Sequence, residues 1–212
     1  MTQTYIEPTS INALDADAPR SSAPSRNWQR ISLFTGGVLF AIGNMLHPLQ
    51  HNDKAYESAT WEAAHLMIFF SIPLIVLGLP VLHRMLSARI GRRLSAFSVA
   101  ASVVGLIGIA PGTIIETFVA PMVGHEAMKQ LEAGGMGAVN ALLGGFYLGG
   151  TIALGWAARK AKLRPRWAGP SLALSAVVLV AVMSSTSAAA GVVIIAATVV
   201  YGLALSALAA RA

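Results

Sequence analysis

No charged residue occurs in WAGPSLALSAVVLVAVMSSTSAAAGVVIIAATVVYGLALSALAA, the stretch from Trp167 to Ala210. A transmembrane helix needs about 20 apolar residues, so this stretch is too long for a single crossing. The small polar residues 184–187 in its middle predict a turn, which divides the stretch into helices at 168–184 and 189–210. Helices are expected because the stretch lacks the alternation of polar and apolar residues that marks a lipid-facing β-barrel.

Four more apolar runs precede this stretch and complete a prediction of six transmembrane helices. The predicted fold class is therefore all-α, an integral membrane bundle that occupies residues 28–212. Residues 1–27 are polar and are predicted to form a disordered tail. The four additional helices are predicted at 28–46, 61–82, 94–123 and 136–158.

The composition is typical of a chain surrounded by lipid. Hydrophobic residues make up 55% of the chain and charged residues 11%, whereas a soluble domain carries about 25% charged residues. The absence of cysteine excludes disulfides, cysteine-ligated zinc and iron–sulfur clusters. The sequence contains neither a P-loop nor an aspartate-rich motif for diphosphate, so we expect a neutral or apolar substrate.

Lysine and arginine residues are concentrated on one side of the predicted bundle. They occur in the tail, after the second and fourth helices and at the C-terminus, while the other side carries only Lys54 and Lys129. The positive-inside rule then predicts that both termini are cytoplasmic and that the number of spans is even. The predicted location is the cell membrane, as a multi-pass protein of the bacterial inner membrane type. Topology accounts for the net charge of +6, so no nucleic-acid partner is expected.

Glu116 is the most informative single residue. It lies about seven residues inside the outer end of the third helix, which corresponds to a depth of roughly 10 Å. An ionisable group at such a depth is a candidate for function. No lysine or arginine lies at a matching depth in any predicted helix, so burial favours the uncharged carboxylic acid. Glu116 is therefore the predicted general acid.

Further polar residues fall near the outer ends of the predicted helices. Glu62 and His65 are three residues apart on one helix, a spacing that places both side chains on one face. Convergence of these faces would create a pocket in the outer leaflet, with Glu62, His65 and His47 as catalytic residues beside Glu116. The predicted substrate-binding residues are the polar Asn44, Asn140 and Tyr147 and the aromatic Phe40, Phe69, Phe118 and Phe146.

Three functions fit such a pocket. The first is acid–base catalysis on a lipid-like small molecule, which needs no cofactor and uses aromatic side chains to stabilise a developing cation. The alternative is ligation of a metal ion or haem by His47, His65 and His125. A second alternative is a small proton-coupled transporter or accessory subunit, because a glutamate within the membrane can also relay protons.

In outline, the chain resembles the small membrane-integral terpene cyclases of meroterpenoid pathways. The resemblance extends over residues 28–210 and consists of the size, the missing aspartate-rich motif, Glu62 near the start of the second helix, Glu116 within the third, and the aromatic residues. It implies a compact helical bundle in which carboxylates protonate a prenyl olefin or epoxide and so cyclise or isomerise an isoprenoid. The abundant histidines are not part of that pattern, so the metal alternative stays open.

Overall fold

The computed structural model describes residues 24–50, 52–182 and 187–212 of the chain. Within these ranges every regular element is a helix, which confirms the predicted all-α class. A π-helical turn, Ile115–Val119, connects the fourth and fifth helices. The helices are α1 (Pro24–Leu46), α2 (Asp53–Tyr56), α3 (Trp61–Ile90), α4 (Arg92–Ile114), α5 (Ala120–Val123), α6 (His125–Ala133), α7 (Gly135–Lys160), α8 (Ala168–Val182) and α9 (Ala188–Ala209).

The largest differences from the predicted helix boundaries on the basic side are the start of α1 and the end of α3. Helix α1 begins at Pro24, so residues 24–27, which were predicted to belong to the tail, are helical, while residues 1–23 lie outside the described residues. Helix α3 continues past its predicted end at residue 82 because Leu86 still packs in the core. It ends at Gly91, whose φ of 92° stops the helix at little steric cost for glycine.

The segment between α8 and α9 is described only in part. The turn predicted at 184–187 lies outside the described residues except for Ser187. The Ser187 side chain accepts a hydrogen bond from the backbone N–H of Ala190, with an oxygen–nitrogen distance of 3.2 Å. Ser187 is thus the N-cap of α9, the position that serine favours because its oxygen satisfies a free amide of the first turn.

In the described part of the chain, four helical segments are long and apolar enough to cross a membrane. They are α3, the continuous segment Arg92–Val123, α7 and α9. Helix α8 is apolar but has only 15 residues, and α1 carries Arg30 in its first half. The described bundle is therefore compatible with a transmembrane protein.

The six longest described helices pack in a ring. Helices α1, α3, α4, α7, α8 and α9 each contact the next in chain order, and α9 returns to contact α1. Small residues allow this close packing: a Cβ added at Gly78 would lie 2.5 Å from the backbone nitrogen of Leu33, where α3 crosses α1. A Cβ added at Gly202 would lie 2.4 Å from the carbonyl oxygen of Gly37, where α9 crosses α1.

Helices α4 and α7 touch in their middle and separate toward the end of the bundle that carries Glu116. A Cβ added at Gly105 of α4 would lie 2.2 Å from the Cα of Tyr147 on α7. At Gly112 and Gly144, which are nearer the Glu116 end, an added Cβ would meet no atom within 4 Å. The divergence of the two helices therefore leaves space inside the ring.

Candidate functional site

Three ionisable side chains from different parts of the chain meet at one end of the ring. Nε2 of His65, on α3, lies 2.9 Å from Oε2 of Glu116, on the π-helical turn. The ring of His47, which follows α1, has its centroid 4.8 Å from that of His65. One nitrogen or oxygen atom from each of the three side chains lies within 4.8 Å of the other two. We name these residues the His–His–Glu triad.

Backbone carbonyl groups set the orientation of both histidines. Nδ1 of His65 lies 2.8 Å from the carbonyl oxygen of Trp61, and Nδ1 of His47 lies 2.8 Å from that of Pro48. A carbonyl oxygen can only accept a hydrogen bond, so each Nδ1 carries a proton. In the neutral ring the lone pair is then on Nε2. Histidines that bind metal ions show this arrangement, with the second nitrogen donating to a backbone carbonyl or carboxylate.

The contact between His65 and Glu116 requires a positive group between the two atoms. Nε2 of a neutral His65 and an oxygen of an ionised Glu116 are both acceptors and would repel each other at 2.9 Å. A proton carried by either side chain removes this repulsion, and a bound metal ion would do the same. Two ligand atoms at about 2.1 Å from one ion and at a right angle lie roughly 3 Å apart, which is close to the observed distance.

Trp61 supports the triad from α3. Its ring centroid lies 4.1 Å from that of His65, and its indole N–H donates a hydrogen bond to the backbone carbonyl of Glu116 at 2.9 Å. This bond ties the π-helical turn to α3. Turns of this kind are frequent at functional sites, where the extra residue redirects a side chain. The side chain of His65 is 1% exposed and that of Glu116 is 34% exposed. His65 is therefore buried, whereas Glu116 is partly accessible.

Among the described residues Glu116 lines three cavities, of which two are larger than the third. The first, which we name the loop-side cavity, has a volume of about 680 Å³ and is lined by His47, Tyr56 and His125, among others. Burial, and after it the negative charges of Glu116, Asp53 and Glu132, raises the pKa of the Tyr56 phenol. Tyr56 is therefore a neutral hydrogen-bond donor on the wall of this cavity at neutral pH.

The second cavity, which we name the ring cavity, lies inside the bundle. It has a volume of about 410 Å³ and is bounded by α4, α7, α8 and α9. Asn140 and Tyr147 line it together with Glu116, as do several aliphatic side chains. The triad thus stands between an opening toward the loops and an apolar space within the ring.

The structure brings together only part of the predicted catalytic set. Glu116, His65 and His47 meet, whereas Glu62 is exposed on the surface of α3. A spacing of three residues leaves two side chains roughly 60° apart around a helix, and here that angle separates a buried histidine from an exposed glutamate. His125, the third histidine of the predicted ligand set, lines the loop-side cavity but is not part of the triad. The third member of the triad is Glu116.

The predicted substrate-binding residues lie in different environments. Asn140 and Tyr147 line the ring cavity. Asn44 is buried, and its amide donates to the carbonyl of Phe40 within α1 at 2.8 Å. The four aromatic residues of the predicted wall are not among those that line the two named cavities, and they pack in the core or lie toward the outside of the bundle. Phe40 packs against Tyr201, Phe69 packs against the exposed Phe70, and Phe118 and Phe146 are 49% and 42% exposed.

Two features of the site were not predicted from the sequence. A tryptophan at the start of an apolar run, such as Trp61, is typical of an interfacial anchor. Trp61 also precedes His65 by four residues, and this spacing places the two rings in contact on α3. The π-helical turn follows Pro111 and Gly112, which predict a distorted helix without specifying its form. The spacing of Trp61 and His65 was thus the available signal for the first feature.

Comparisons with models of known protein families, with curated proteins and with solved structures find no match for this chain. The class of protein that the structure itself defines is a helical bundle compatible with a membrane, with a His–His–Glu triad at one end. Function therefore has to be argued from the chemistry of the triad and its cavities.

Proposed function

We propose that this protein is a membrane-embedded metalloenzyme whose metal ion is bound by His47, His65 and Glu116. The observation that carries the proposal is the convergence of one ligand atom from each residue to within 4.8 Å. Two histidines and one carboxylate are the ligands of many non-haem Fe(II) centres, and the same donor types also bind Zn²⁺. Three protein ligands leave coordination positions open for water or substrate, as catalysis requires.

The surroundings of the triad support this proposal. Both histidines have their Nδ1 atoms against backbone carbonyls, so both direct an Nε2 lone pair away from the backbone. A metal ion in this position would polarise a substrate oxygen or lower the pKa of a bound water toward neutrality. The loop-side cavity gives water access, and the ring cavity gives access to an apolar molecule.

Charge placement supports a topology of six spans with the triad facing the outside of the cell. Helices α1 and α8 would then cross the membrane together with the four more apolar segments. All described acidic residues lie at the triad end, while clusters of arginine and lysine lie at the other end. Arg89 joins two of these clusters by donating to the carbonyl of Ala161 at 3.0 Å. By the positive-inside rule the basic end is cytoplasmic, which fits a cell-membrane protein.

The hydrogen bond between His65 and Glu116 favours a second candidate function, acid–base catalysis without a metal ion. One proton held between Nε2 and Oε2 at 2.9 Å could be delivered to an olefin or epoxide at the mouth of the ring cavity. This is the chemistry that the resemblance to membrane-integral terpene cyclases implies, namely cyclisation or isomerisation of a neutral, lipid-like molecule.

Metal analysis of the purified full chain tests the proposal. After treatment with a chelator and equilibration with Zn²⁺ or Fe²⁺, the wild type is expected to retain about one ion per chain. His65→Ala and Glu116→Gln should weaken metal binding by more than the roughly 10- to 100-fold that loss of an outer-shell partner costs. Glu62→Gln is the matched control, because Glu62 is exposed on the same helix as His65, and it should bind metal as the wild type does.

The two candidate functions give different results. A wild type that retains no metal ion under any of these conditions contradicts the metalloenzyme. In that case, incubation with prenyl olefins in heavy water tests the second candidate, because protonation at carbon places deuterium in the product. Deuterium incorporation that is lost in Glu116→Gln would establish the acid–base enzyme.

A further inference from the structure

The connection between α7 and α8 forms a positively charged cavity at the basic end of the bundle. Its volume is about 190 Å³, and it is lined by Arg159, Lys162, Leu163, Arg166 and Pro170. Three of these residues are cationic, and every acidic residue in the described part of the chain lies at the opposite end. Both ion pairs found among the described residues also lie at the triad end. A cavity lined by one sign of charge attracts ions of the other sign, so its expected ligand is an anion.

Backbone contacts determine the shape of this cavity. Arg89 of α3 donates hydrogen bonds to the carbonyl oxygens of Ala161 and Lys162, at 3.0 and 3.4 Å. The backbone N–H of Lys162 donates to the carbonyl of Arg159 at 3.0 Å, and the side chain of Leu163 is buried. Lys162 has a φ of 52°, a conformation that glycine or asparagine adopts more readily than lysine. Lysine thus places a cation in the cavity although glycine would fit the backbone better.

An exposed apolar surface runs from the cavity along α8. Pro170 lines the cavity, and Leu174 and Val177 follow it after four and seven residues, a spacing that places all three on one face of the helix. All three are exposed. Trp156 on α7 and Trp167 directly before α8 are half exposed, as tryptophans at a boundary between membrane and water are. The charged cavity is therefore continuous with a surface that is suited to an acyl chain.

We propose that this cavity binds the headgroup of an anionic glycerophospholipid, as basic pockets between transmembrane helices do. The phosphodiester contacts Arg159, Lys162 and Arg166, and one acyl chain lies against Leu174 and Val177. The volume of about 190 Å³ lies below the roughly 300–1,000 Å³ of sites that enclose a whole small molecule, so only the headgroup enters. A zwitterionic lipid carries an ammonium group beside its phosphate, which the three cations repel. The inference requires that the bundle lie in a membrane, but it uses neither the triad nor the proposed orientation.

Photolabelling of the full chain in phosphatidylcholine nanodiscs tests the inference. The probes are phosphatidylglycerol and phosphatidylcholine, each with a diazirine in an acyl chain and each added at the same low molar fraction. In the wild type, the phosphatidylglycerol probe should label peptides of α8 about tenfold more than the phosphatidylcholine probe. The triple variant Arg159→Gln, Lys162→Gln, Arg166→Gln should label equally with both probes, because each basic side chain near the surface contributes roughly fivefold to the binding of an anionic lipid.

The triple variant Arg92→Gln, Arg93→Gln, Lys160→Gln is the matched control. It removes three exposed positive charges from the same end of the bundle, and none of these residues lines the cavity. This control should keep the wild-type preference for phosphatidylglycerol. An equal loss of preference in both triple variants would show that diffuse surface charge attracts the lipid and would overturn the inference, as would equal labelling of the wild type by both probes.

A soluble competitor distinguishes a lipid headgroup from a free anion. Millimolar inorganic phosphate should leave labelling by the phosphatidylglycerol probe as it is in chloride of equal ionic strength, because phosphate has no acyl chain to contact α8. Displacement of the probe by phosphate but not by chloride would show a site for a free anion and would overturn the assignment to a lipid.

The variant Lys162→Gly guards against loss of folding. Glycine adopts a φ of 52° at little steric cost, so the melting temperature in phosphatidylcholine alone should stay near that of the wild type. The preference for phosphatidylglycerol should fall roughly fivefold, and an unchanged preference would contradict the contact with Lys162. Metal content separates this result from the proposed function, since the cavity lies at the end of the bundle opposite the triad. A metal-free wild type that still prefers phosphatidylglycerol would refute the metalloenzyme alone.

Discussion

His65 is the most constrained residue of the triad. Its Nδ1 contacts the Trp61 carbonyl, its Nε2 contacts Glu116, and its ring is flanked by those of Trp61 and His47. The two contacts with Trp61 lie within α3, whereas Glu116 and His47 belong to other segments, so a shift of α3 against the π-helical turn would separate His65 from Glu116. The indole of Trp61 is the group that opposes such a shift.

Removing the hydrogen bond from Trp61 should weaken the site without unfolding the protein. Trp61→Phe keeps an aromatic ring beside His65 but loses the donor to the Glu116 carbonyl. We expect a 10- to 100-fold loss of metal affinity, roughly the effect of an outer-shell partner, and a loss of about 1 kcal/mol in the free energy of unfolding. Metal competition titrations measure the first quantity and denaturant unfolding the second.

Trp156→Phe provides the control, because Trp156 is half exposed on α7 and belongs to the basic end of the bundle. It should leave metal affinity unchanged. If both variants bind metal like the wild type, Trp61 does not position the triad.

At the level of single residues, sequence reasoning located Glu116 because a carboxylate deep in an apolar run stands out regardless of packing. It could not decide between Glu62 and His65, since helical spacing gives the angle between two side chains but not which of them faces a neighbour. The aromatic residues could not be assigned to the core or to the surface for a related reason. Phenylalanine is equally stable against lipid and against core, so Phe118 and Phe146 carry no signal that distinguishes the two.

Among the elements, α4 and α7 determine the shape of the ring cavity. They are in contact at Gly105, where the added Cβ would lie 2.2 Å from the Cα of Tyr147, and apart at Gly112 and Gly144. The helices are also close at Gly108, where an added Cβ would lie 2.6 Å from the Cβ of Leu143, and they separate only beyond that point. The cavity therefore depends on a small residue at the crossing.

Gly105→Ala should disturb this crossing. The methyl group would meet backbone rather than a flexible side chain, so α4 and α7 must move apart, at a cost of about 1–3 kcal/mol. The expected result is a lower melting temperature. Gly145→Ala on the exposed face of α7 should instead be neutral or stabilising by up to roughly 1 kcal/mol. Equal melting temperatures for the two variants would contradict the close contact.

The helices themselves were predictable, because long uncharged runs have few alternatives. The π-helical turn was not, since Pro111 and Gly112 indicate only that regular hydrogen bonding is interrupted. Helix α6 was also missed. It is short and polar, and it packs against α7 through contacts that a local pattern does not record.

The described bundle has opposite charge at its two ends, and the proposed orientation in the membrane rests on this asymmetry. Single cysteines can test the orientation cleanly because the natural chain has none. Ala59 lies exposed at the triad end and Ala88 lies exposed at the basic end. In intact cells a membrane-impermeant maleimide should label Ala59→Cys, while Ala88→Cys should react only after permeabilisation. Equal labelling of both in intact cells would refute the proposed topology.

Closure of the ring by α9 against α1 has a consequence for biogenesis. The two helices touch at Gly37 and Gly202, and Arg30 donates to the carbonyl of Ala209 at 3.4 Å. A ribosome synthesises α1 well before α9, so the face of α1 that α9 covers stays open until α9 has formed. The nascent bundle is an open arc during that interval, and its unfilled seam is the surface that an insertase or chaperone would have to shield.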